Sequence, residues 1–182
     1  MRCAGTDAPP GRSDVIVRTD KIFLVGFMAA GKSTVAEALA RRIDWRVEDV
    51  DARIEARERR TVADIFAQHG EDRFRAVERA VVQELLPLRH VVVATGGGTF
   101  ADPANRTAIN RNGTSVWLDV TFETVIARLP ADGRRPLARN RDTLHGLYHA
   151  RQVAYRQAHL RLDADSLPAG ALVERLMDWL GA

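Results

Sequence analysis

At residues 26–34 the chain reads Gly26-Phe27-Met28-Ala29-Ala30-Gly31-Lys32-Ser33-Thr34, which meets the pattern G-x-x-x-x-G-K-[ST] in full. The preceding run, Ile22-Phe23-Leu24-Val25, is apolar and rich in residues that favour strands. The following residues, 35–43, carry apolar side chains at helical spacing. The sequence therefore predicts a strand, a glycine-containing loop and a helix in succession, and this context is typical of a P-loop.

The residue types of this loop suit the binding of a nucleoside triphosphate. Gly31 allows the backbone to approach an oxyanion closely, and successive amides at a helix N-terminus form an anion site. The Lys32 ammonium suits the β- and γ-phosphates, and the Ser33 hydroxyl is a hard oxygen ligand for Mg²⁺. We therefore expect ATP and Mg²⁺ to bind at this loop.

Length and composition limit the class of protein. The chain has 182 residues, 46% of them hydrophobic, which suits one domain with a full core. A formal net charge of +3 fits the handling of small anions better than the dense basic face of a nucleic-acid binder. Cys3 is the single cysteine, so no intramolecular disulfide can form, and neither a spanning helix nor a secretory signal is evident. We expect a cytoplasmic monomer that contacts neither nucleic acid nor membrane.

Strand and helix signals alternate along the chain, which predicts an α/β fold with a parallel sheet covered by helices on both faces. Residues 1–20 contain few apolar side chains and are predicted to form a flexible tail, which leaves 21–182 as one domain. The predicted strands are 22–25, 45–48, 91–94, 115–118 and 160–162; the predicted helices are 35–43, 51–59, 61–69, 71–86, 102–110, 121–129, 143–159 and 168–180.

Two carboxylates, Asp49 and Asp51, follow the predicted second strand. In an open α/β sheet ligands gather at the carboxyl ends of the strands, which is also the edge that the P-loop occupies. One carboxylate could support the magnesium ion, and the other could accept a proton from an attacking hydroxyl group. The alternative is a pair of solvated loop acids.

Two further segments are predicted to lie near this edge. Gly96-Gly97-Gly98 follows a buried strand, and such a run suits either an amide donor beside a substrate or a tight turn. The loop at 130–142 contains Arg134 and Arg135 and has the length of a lid. An arginine there can stabilise charge on a transferring phosphoryl group. The alternative is a solvated basic loop, which would have the same sequence pattern.

Arg75 and Arg151 are each consistent with an ordinary exposed arginine, but together they could clamp a substrate carboxylate, because the guanidinium fork matches that group. His145 and His149 are four residues apart on a predicted helix. With no third ligand evident, we expect these histidines to lie at the surface and bind no metal.

The ordered set of these motifs resembles shikimate kinase, from about residue 21 to residue 180. The set consists of the P-loop at 26–33, Asp49-x-Asp51, Gly70-Glu71 with Phe74-Arg75 and Glu78, Gly96-Gly97-Gly98, Arg135-Pro136-Leu137, and Arg151 with Tyr155. The resemblance implies a nucleoside-monophosphate-kinase-like fold, with a five-stranded parallel sheet and a flexible lid at about 130–142. It also implies that ATP phosphorylates the 3-hydroxyl of shikimate, giving ADP and shikimate 3-phosphate on the chorismate route to aromatic amino acids.

The resemblance further implies roles for individual residues. Asp51, Lys32 and Arg135 would be catalytic. Shikimate would be bound by Asp51, Arg75, Gly97, Gly98 and Arg151, with both arginines on its carboxylate. The nucleotide would be bound by Ala29, Ala30, Gly31, Lys32, Ser33 and Thr34, with Arg135 on the phosphates and Arg128 and Arg161 beside the adenine. Ser33 would bind Mg²⁺, with Asp49 in the outer shell of the ion.

One position departs from the family, which often has glycine where this chain has Ala29. The methyl group restricts the backbone without removing the amide, so we expect a tolerated variant. The alternatives are another small-metabolite kinase, such as a gluconate kinase, and an ATP-binding regulatory module without turnover. The paired arginines disfavour a neutral polyol but suit any hydroxy acid, and the presence of Asp51 and Arg135 disfavours an inactive module. A nucleic-acid ATPase is disfavoured because aromatic residues are few.

Overall fold

The computed structural model describes residues 19–129 and 141–181. Within these ranges one five-stranded parallel sheet has the strand order β2-β3-β1-β4-β5, which confirms the predicted fold class. The strands are β1 (Lys21–Val25), β2 (Arg46–Asp49), β3 (Val91–Ala94), β4 (Thr114–Asp119) and β5 (Leu160–Asp163). The helices are α1 (Lys32–Ile43), α2 (Val50–Glu58), α3 (Val62–Leu85), α4 (Pro103–Asn112), α5 (Phe122–Arg128), α6 (Arg141–Tyr155) and α7 (Ala169–Leu180).

The centre of the sheet is formed by β1 and β3, whose residues are all buried. Successive side chains of a strand point to opposite faces, so complete burial requires helices on both faces of the sheet. Helix α1 packs against β2, β3 and α7, and α4 packs against β4 and α3. The apolar runs of β1 and β3 therefore account for the covered sheet that the sequence predicts.

Short polar side chains start four of the helices. Asp49 accepts a hydrogen bond from the third residue of α2, and Thr61, Asp102 and Thr121 cap α3, α4 and α5 in the same manner. At Thr61, where the sequence predicts a helix to begin, the side-chain hydroxyl oxygen accepts from the Asp64 amide at 3.1 Å. Gly70 interrupts α3 with φ 76° and ψ 177°, so the two helices predicted on either side of it form one kinked helix.

The predicted end of one helix is wrong. The helix expected to reach His159 ends at Tyr155, because the chain must turn there to place β5 beside β4. Backbone N–H groups of Gln157 and Ala158 donate to the carbonyls three residues earlier, which tightens the turn. His159 N–H then donates to Ser115 Oγ at 3.1 Å, just before β5 begins.

Two predictions lie outside the described residues. The predicted tail falls on residues 1–20, of which the structure describes only the last two, and the predicted lid falls mostly on residues 130–140. Residues 141 and 142, assigned to the lid from the sequence, instead begin α6. None of the helices in the described ranges is both long and apolar enough to cross a membrane.

Candidate active site

Three loops meet at the carboxyl edge of the sheet, because β3 lies between β1 and β2. They are residues 26–31 after β1, the junction of β2 and α2 at residues 49–51, and residues 95–102 after β3. The third loop is tied to the first strand, since the Thr95 amide and hydroxyl both donate to the Leu24 carbonyl, at 3.1 and 2.9 Å. The P-loop, the paired aspartates and the three glycines predicted to share an edge therefore do so.

The P-loop has the backbone that its glycines permit. Gly31 precedes α1 with φ 89°, and a Cβ on Gly26 (φ 138°) would lie 2.6 Å from the Leu118 carbonyl oxygen. The buried Lys32 ammonium donates to the carbonyls of Gly26 and Phe27, at 3.0 and 2.8 Å, across the loop. No side chain of the described residues caps the first turn of α1, and that turn contains no acidic residue. Its amides and the lysine can therefore bind an anion.

Ala29 adopts φ 61°, in the left-handed region that favours glycine. A methyl-bearing residue there costs roughly 1–2 kcal/mol of backbone strain relative to the right-handed region. The loop nevertheless keeps this conformation, with Ala30 N–H donating to the Phe27 carbonyl at 3.3 Å. The alanine therefore occupies the backbone shape that a glycine would adopt, and its tolerance in nucleotide binding stays a prediction.

Ser33 and Asp49 are brought together as the sequence predicts. The Ser33 hydroxyl donates to Asp49 Oδ2 at 3.0 Å, and Asp49 Oδ1 accepts from the Ala52 amide at 3.1 Å. The helix cap thus orients the carboxylate toward the P-loop serine. A hydroxyl oxygen and a carboxylate oxygen are the hard donors that Mg²⁺ prefers, so this pair fits a magnesium site.

A cavity of about 530 Å³ opens beside the P-loop. Its apolar wall is formed by side chains of the P-loop and α3, namely Met28, Val62, Ala63, Phe66 and Phe74. Its polar lining combines acidic residues, arginines, a threonine and the glycine loop, namely Asp51, Glu55, Glu78, Arg75, Arg151, Thr61 and residues 96–98. The cavity can therefore accept a small molecule with an apolar face, an acidic group and hydroxyl groups.

Arg75 is held at this cavity by two carboxylates of its own helix. Its Nη1 donates to Glu78 Oε2 at 2.8 Å, and its Nε and Nη2 donate to Glu71 Oε1 at 3.2 and 3.0 Å. Burial would lower the pKa of Arg75, but Glu78 and Glu71 outweigh this effect and raise it above the ordinary value. The guanidinium is therefore a fixed cation.

Glu78 is a functional candidate to which the sequence analysis gave no role. The residue is fully buried, and its Oε1 accepts from the Thr99 hydroxyl at 2.7 Å. It thus joins Arg75 on α3 to the loop after β3. Helical spacing offered a signal, because Glu78 lies four residues after Phe74 and four before Val82, on an otherwise apolar face. Glu55, Met28 and Phe66, which also line the cavity, were likewise not singled out.

Arg151 lies deeper than Arg75, with 6% of its surface exposed. Its guanidinium carbon lies 5.6 Å from the centroid of the Phe27 ring, within the range of a cation–π contact. Burial lowers the pKa of Arg151, and the nearby charge of Arg75 acts in the same direction. Two arginines from different helices therefore line one cavity, where an anion would relieve their mutual repulsion.

The glycines after β3 allow close approaches that any side chain would prevent. A Cβ on Gly96 would lie 2.6 Å from Asp51 Oδ1, and a Cβ on Gly98 would lie 2.5 Å from Arg75 Nη1. A Cβ on Gly97 would lie 3.2 Å from the Met28 amide nitrogen. The run therefore brings backbone close to both ends of the cavity, and Gly96 joins the predicted Gly97 and Gly98 as a residue that the geometry requires to be small.

The predicted nucleotide arginines occupy different places. Arg128 Nη2 donates to the carbonyls of Ala164 and Asp165, both at 3.2 Å, in the loop after β5. Arg161 instead pairs with Asp119, with Nε 2.8 Å from Oδ2, and lies over the Trp117 ring beside a second cavity of about 260 Å³. Arg135 lies outside the described residues.

The two histidines of α6 lie side by side at the surface. His145 and His149 are exposed, and their Nε2 atoms lie 2.9 Å apart on α6. In the part of the chain that the structure describes, no three His, Cys, Asp or Glu side chains cluster as metal ligands would.

Comparison with known proteins gives a consistent answer. The family model for shikimate kinase matches residues 28–181. The shikimate kinase of Persephonella marina is 38% identical over 157 residues, covering 86% of this chain and 96% of the relative. That of a Synechococcus species is 42% identical over 163 residues, covering 87% and 83%.

Solved structures agree. A shikimate kinase from Acinetobacter baumannii, in complex with shikimate, superposes with a TM-score of 0.86 at 32% identity, covering 90% of this chain and 93% of that one. A deoxyadenosine kinase from M. mycoides, at 17% identity and a TM-score of 0.58 over 88% of this chain and 98% of its own, shares the fold alone. The family model, the relatives and the site geometry coincide over nearly all of the described residues, and the chain belongs to the shikimate kinase family.

Proposed function

We propose that this protein transfers the γ-phosphoryl group of ATP to the 3-hydroxyl of shikimate, giving ADP and shikimate 3-phosphate. The observation that carries the proposal is the cavity beside the P-loop, which combines Arg75 and Arg151 with the Asp51 carboxylate. Shikimate presents one carboxylate and three ring hydroxyls, and these groups match the two kinds of side chain. Membership of the family and the shikimate complex of the Acinetobacter baumannii relative support the same substrate.

The two arginines bind the shikimate carboxylate. Guanidinium groups bind carboxylates through paired N–H donors, and burial of Arg151 strengthens such a contact by excluding water. The backbones of Gly97 and Gly98, which line the same cavity, add further contacts to the substrate. This arrangement favours an acid over a neutral polyol such as a sugar alcohol.

Asp51 orients the reacting hydroxyl and accepts its proton. The hydroxyl oxygen attacks the γ-phosphorus while its proton passes to the Asp51 carboxylate. The bond from the γ-phosphorus to the bridging oxygen breaks, and ADP leaves. Because the transition state of phosphoryl transfer is loose, orientation of the hydroxyl matters at least as much as the basicity of Asp51.

The P-loop amides of residues 29–34 and the Lys32 ammonium hold the ATP phosphates, with Arg135 as a further cation. Arg128 and Arg161 flank the adenine in this proposal. Ser33 binds Mg²⁺ with Asp49 behind it, and their 3.0 Å contact supports this pairing. When bound, Mg²⁺ neutralises charge on the β- and γ-phosphates.

This activity places the protein in the chorismate route to aromatic amino acids. We infer a cytoplasmic monomer with no nucleic-acid or membrane partner. The single cysteine supports a reducing compartment, and the small net charge of +3 argues against a nucleic-acid surface.

The test is ADP release by the purified protein with ATP, Mg²⁺ and either shikimate or gluconate. We expect turnover with shikimate, little with gluconate, and a product whose NMR spectrum couples phosphorus to the proton on carbon 3. Lys32→Ala is the control, and it should lose turnover. Equal rates with both acids, or no phosphate on carbon 3, would overturn the proposal.

A further inference from the structure

The side chain of Tyr155 connects two parts of the candidate site. It lies on α6 one turn after Arg151, is 1% exposed, and donates a hydrogen bond from its hydroxyl to the Gly97 carbonyl. Its ring packs against Trp117, with centroids 5.9 Å apart. A buried tyrosine is ordinary, but this hydroxyl reaches a loop of three successive glycines, which has no side chains there to fix its own position.

Arg151 depends on few other contacts. Arg75 forms ion pairs with Glu71 and Glu78, whereas Arg151 forms no ion pair with any described residue. Tyr155 lies one helical turn after Arg151 on α6, and the charge of the guanidinium acts on the Tyr155 side chain. Burial raises the pKa of Tyr155 far above its ordinary value, although Arg151 opposes the shift, so the hydroxyl stays protonated and donates to Gly97.

Gly97 lies close to both Arg151 and the P-loop. A Cβ on Gly97 would lie 3.5 Å from Arg151 Nη1 and 3.2 Å from the Met28 amide, so Gly97 sits between the arginine and the P-loop. Because Arg151 and Tyr155 lie on the same helix, the hydrogen bond from the Tyr155 hydroxyl to Gly97 sets the distance between Arg151 and the glycine loop.

We propose that Tyr155 is a positioning residue for substrate binding: its hydroxyl aligns the Arg151 guanidinium with the Gly97 backbone. The inference rests on the proposed function, in which both groups contact shikimate. Tyr155 itself does not line the shikimate cavity; it lines the second cavity beside Trp117 and Arg161. Its effect on the substrate is therefore indirect.

Tyr155→Phe tests the proposal because it keeps the ring and removes the hydroxyl. Gly97 is only partly buried, so water can replace the lost donor and the fold should persist. We expect the KM for shikimate to rise about 3- to 10-fold, the range of one lost hydrogen bond. The KM for ATP should stay within about twofold, because the P-loop contacts are untouched.

Tyr148→Phe is the matched control. Tyr148 also lies on α6 and donates to a backbone carbonyl, that of Val120, at 2.8 Å, but it does not line the shikimate cavity. We expect its shikimate KM to equal that of the unmodified protein. Since Tyr155 is proposed to act through Arg151, its effect should shrink in an Arg151→Lys background, whereas a general loss of packing would add to that substitution.

The outcomes separate two failures. No phosphorylation of shikimate by the unmodified protein would refute the proposed function, and this inference with it. Three results would refute the positioning role alone, provided that the unmodified protein phosphorylates shikimate. They are an unchanged shikimate KM in Tyr155→Phe, equal changes in its KM values for shikimate and ATP, and effects of Tyr155→Phe and Arg151→Lys that are fully additive.

Discussion

Replacing Arg75 by alanine should damage the protein in two separable ways. The substitution removes a guanidinium that we propose binds the substrate carboxylate. It also leaves the carboxylate of Glu78, which is fully buried, with the Thr99 hydroxyl as its one hydrogen-bond donor among the described residues. The first loss concerns binding and the second concerns folding, so a second substitution can distinguish them.

The cost to stability follows from burial. Removing one partner of a buried ion pair costs about 3–5 kcal/mol, because the other charge stays desolvated. The side chain of Arg75 is 17% exposed and that of Glu78 is 1% exposed, so we expect the lower end of this range, about 3 kcal/mol. Adding Glu78→Gln removes the unpaired charge but keeps the shape, and it should restore at least about 1 kcal/mol.

Urea unfolding gives the stabilities, and steady-state kinetics give the KM for shikimate. A charge-assisted contact of about 1.5–3 kcal/mol predicts a KM that is roughly 10- to 150-fold higher in Arg75→Ala. The double variant should regain stability without regaining affinity. A double variant no more stable than Arg75→Ala, or one whose shikimate KM recovers with its stability, would refute this reasoning.

Four further substitutions, with one control, follow from the structure. Asp51→Asn should lower kcat by about 10²–10⁴-fold with little change in the KM for ATP. The activity of Asp49→Asn should instead be partly restored by excess Mg²⁺. If Mg²⁺ restores the activity of Asp51→Asn and not that of Asp49→Asn, the roles proposed for the two carboxylates are reversed. Gly98→Ala places a Cβ 2.5 Å from the Arg75 guanidinium and should raise the KM for shikimate. As the control, Gly146→Ala adds a Cβ that meets nothing within 4 Å and should leave the kinetics unchanged. Equal changes in the shikimate KM of both variants would contradict the close approach at Gly98. Hydrogen bonds from two backbone amides and an arginine outweigh burial and lower the pKa of Asp102 below its ordinary value of 3.8. The stability that this carboxylate contributes is therefore present above that value and lost as pH falls through the lower folded-state pKa. Urea unfolding at about pH 6 and about pH 3 gives the free energy of unfolding of the unmodified protein and of Asp102→Asn. The difference between these two free energies should be smaller at about pH 3, and the same difference at both pH values would exclude this linkage.

The sequence predicts the fold well where local signals and tertiary structure agree. The run at 91–94 is apolar throughout because β3 has a strand on either side and both faces covered. The glycine at 70 ends a helical segment because it adopts φ 76°, although the helix resumes at the next residue. In these places one residue type serves both the local and the global structure.

The sequence predicts less where side chains from distant segments meet. Glu78 becomes important through Thr99, which is 21 residues later and is brought close by the loop after β3. Arg161 was expected beside the adenine, but the register of β4 and β5 places it next to Trp117, and its guanidinium pairs with Asp119. Neither partnership follows from spacing along the chain, and the adenine role of Arg161 stays a prediction.

The recognition of a carboxylate is the central claim, and the methyl ester of shikimate tests it most directly. The ester keeps the ring and all three hydroxyls but removes the negative charge that Arg75 and Arg151 would bind. We predict that kcat/KM for the ester is about 10- to 100-fold lower than that for shikimate, with the KM for ATP unchanged. Equal kcat/KM values for the acid and its ester would contradict the account, because the two arginines of the cavity would then contribute nothing to the choice of substrate.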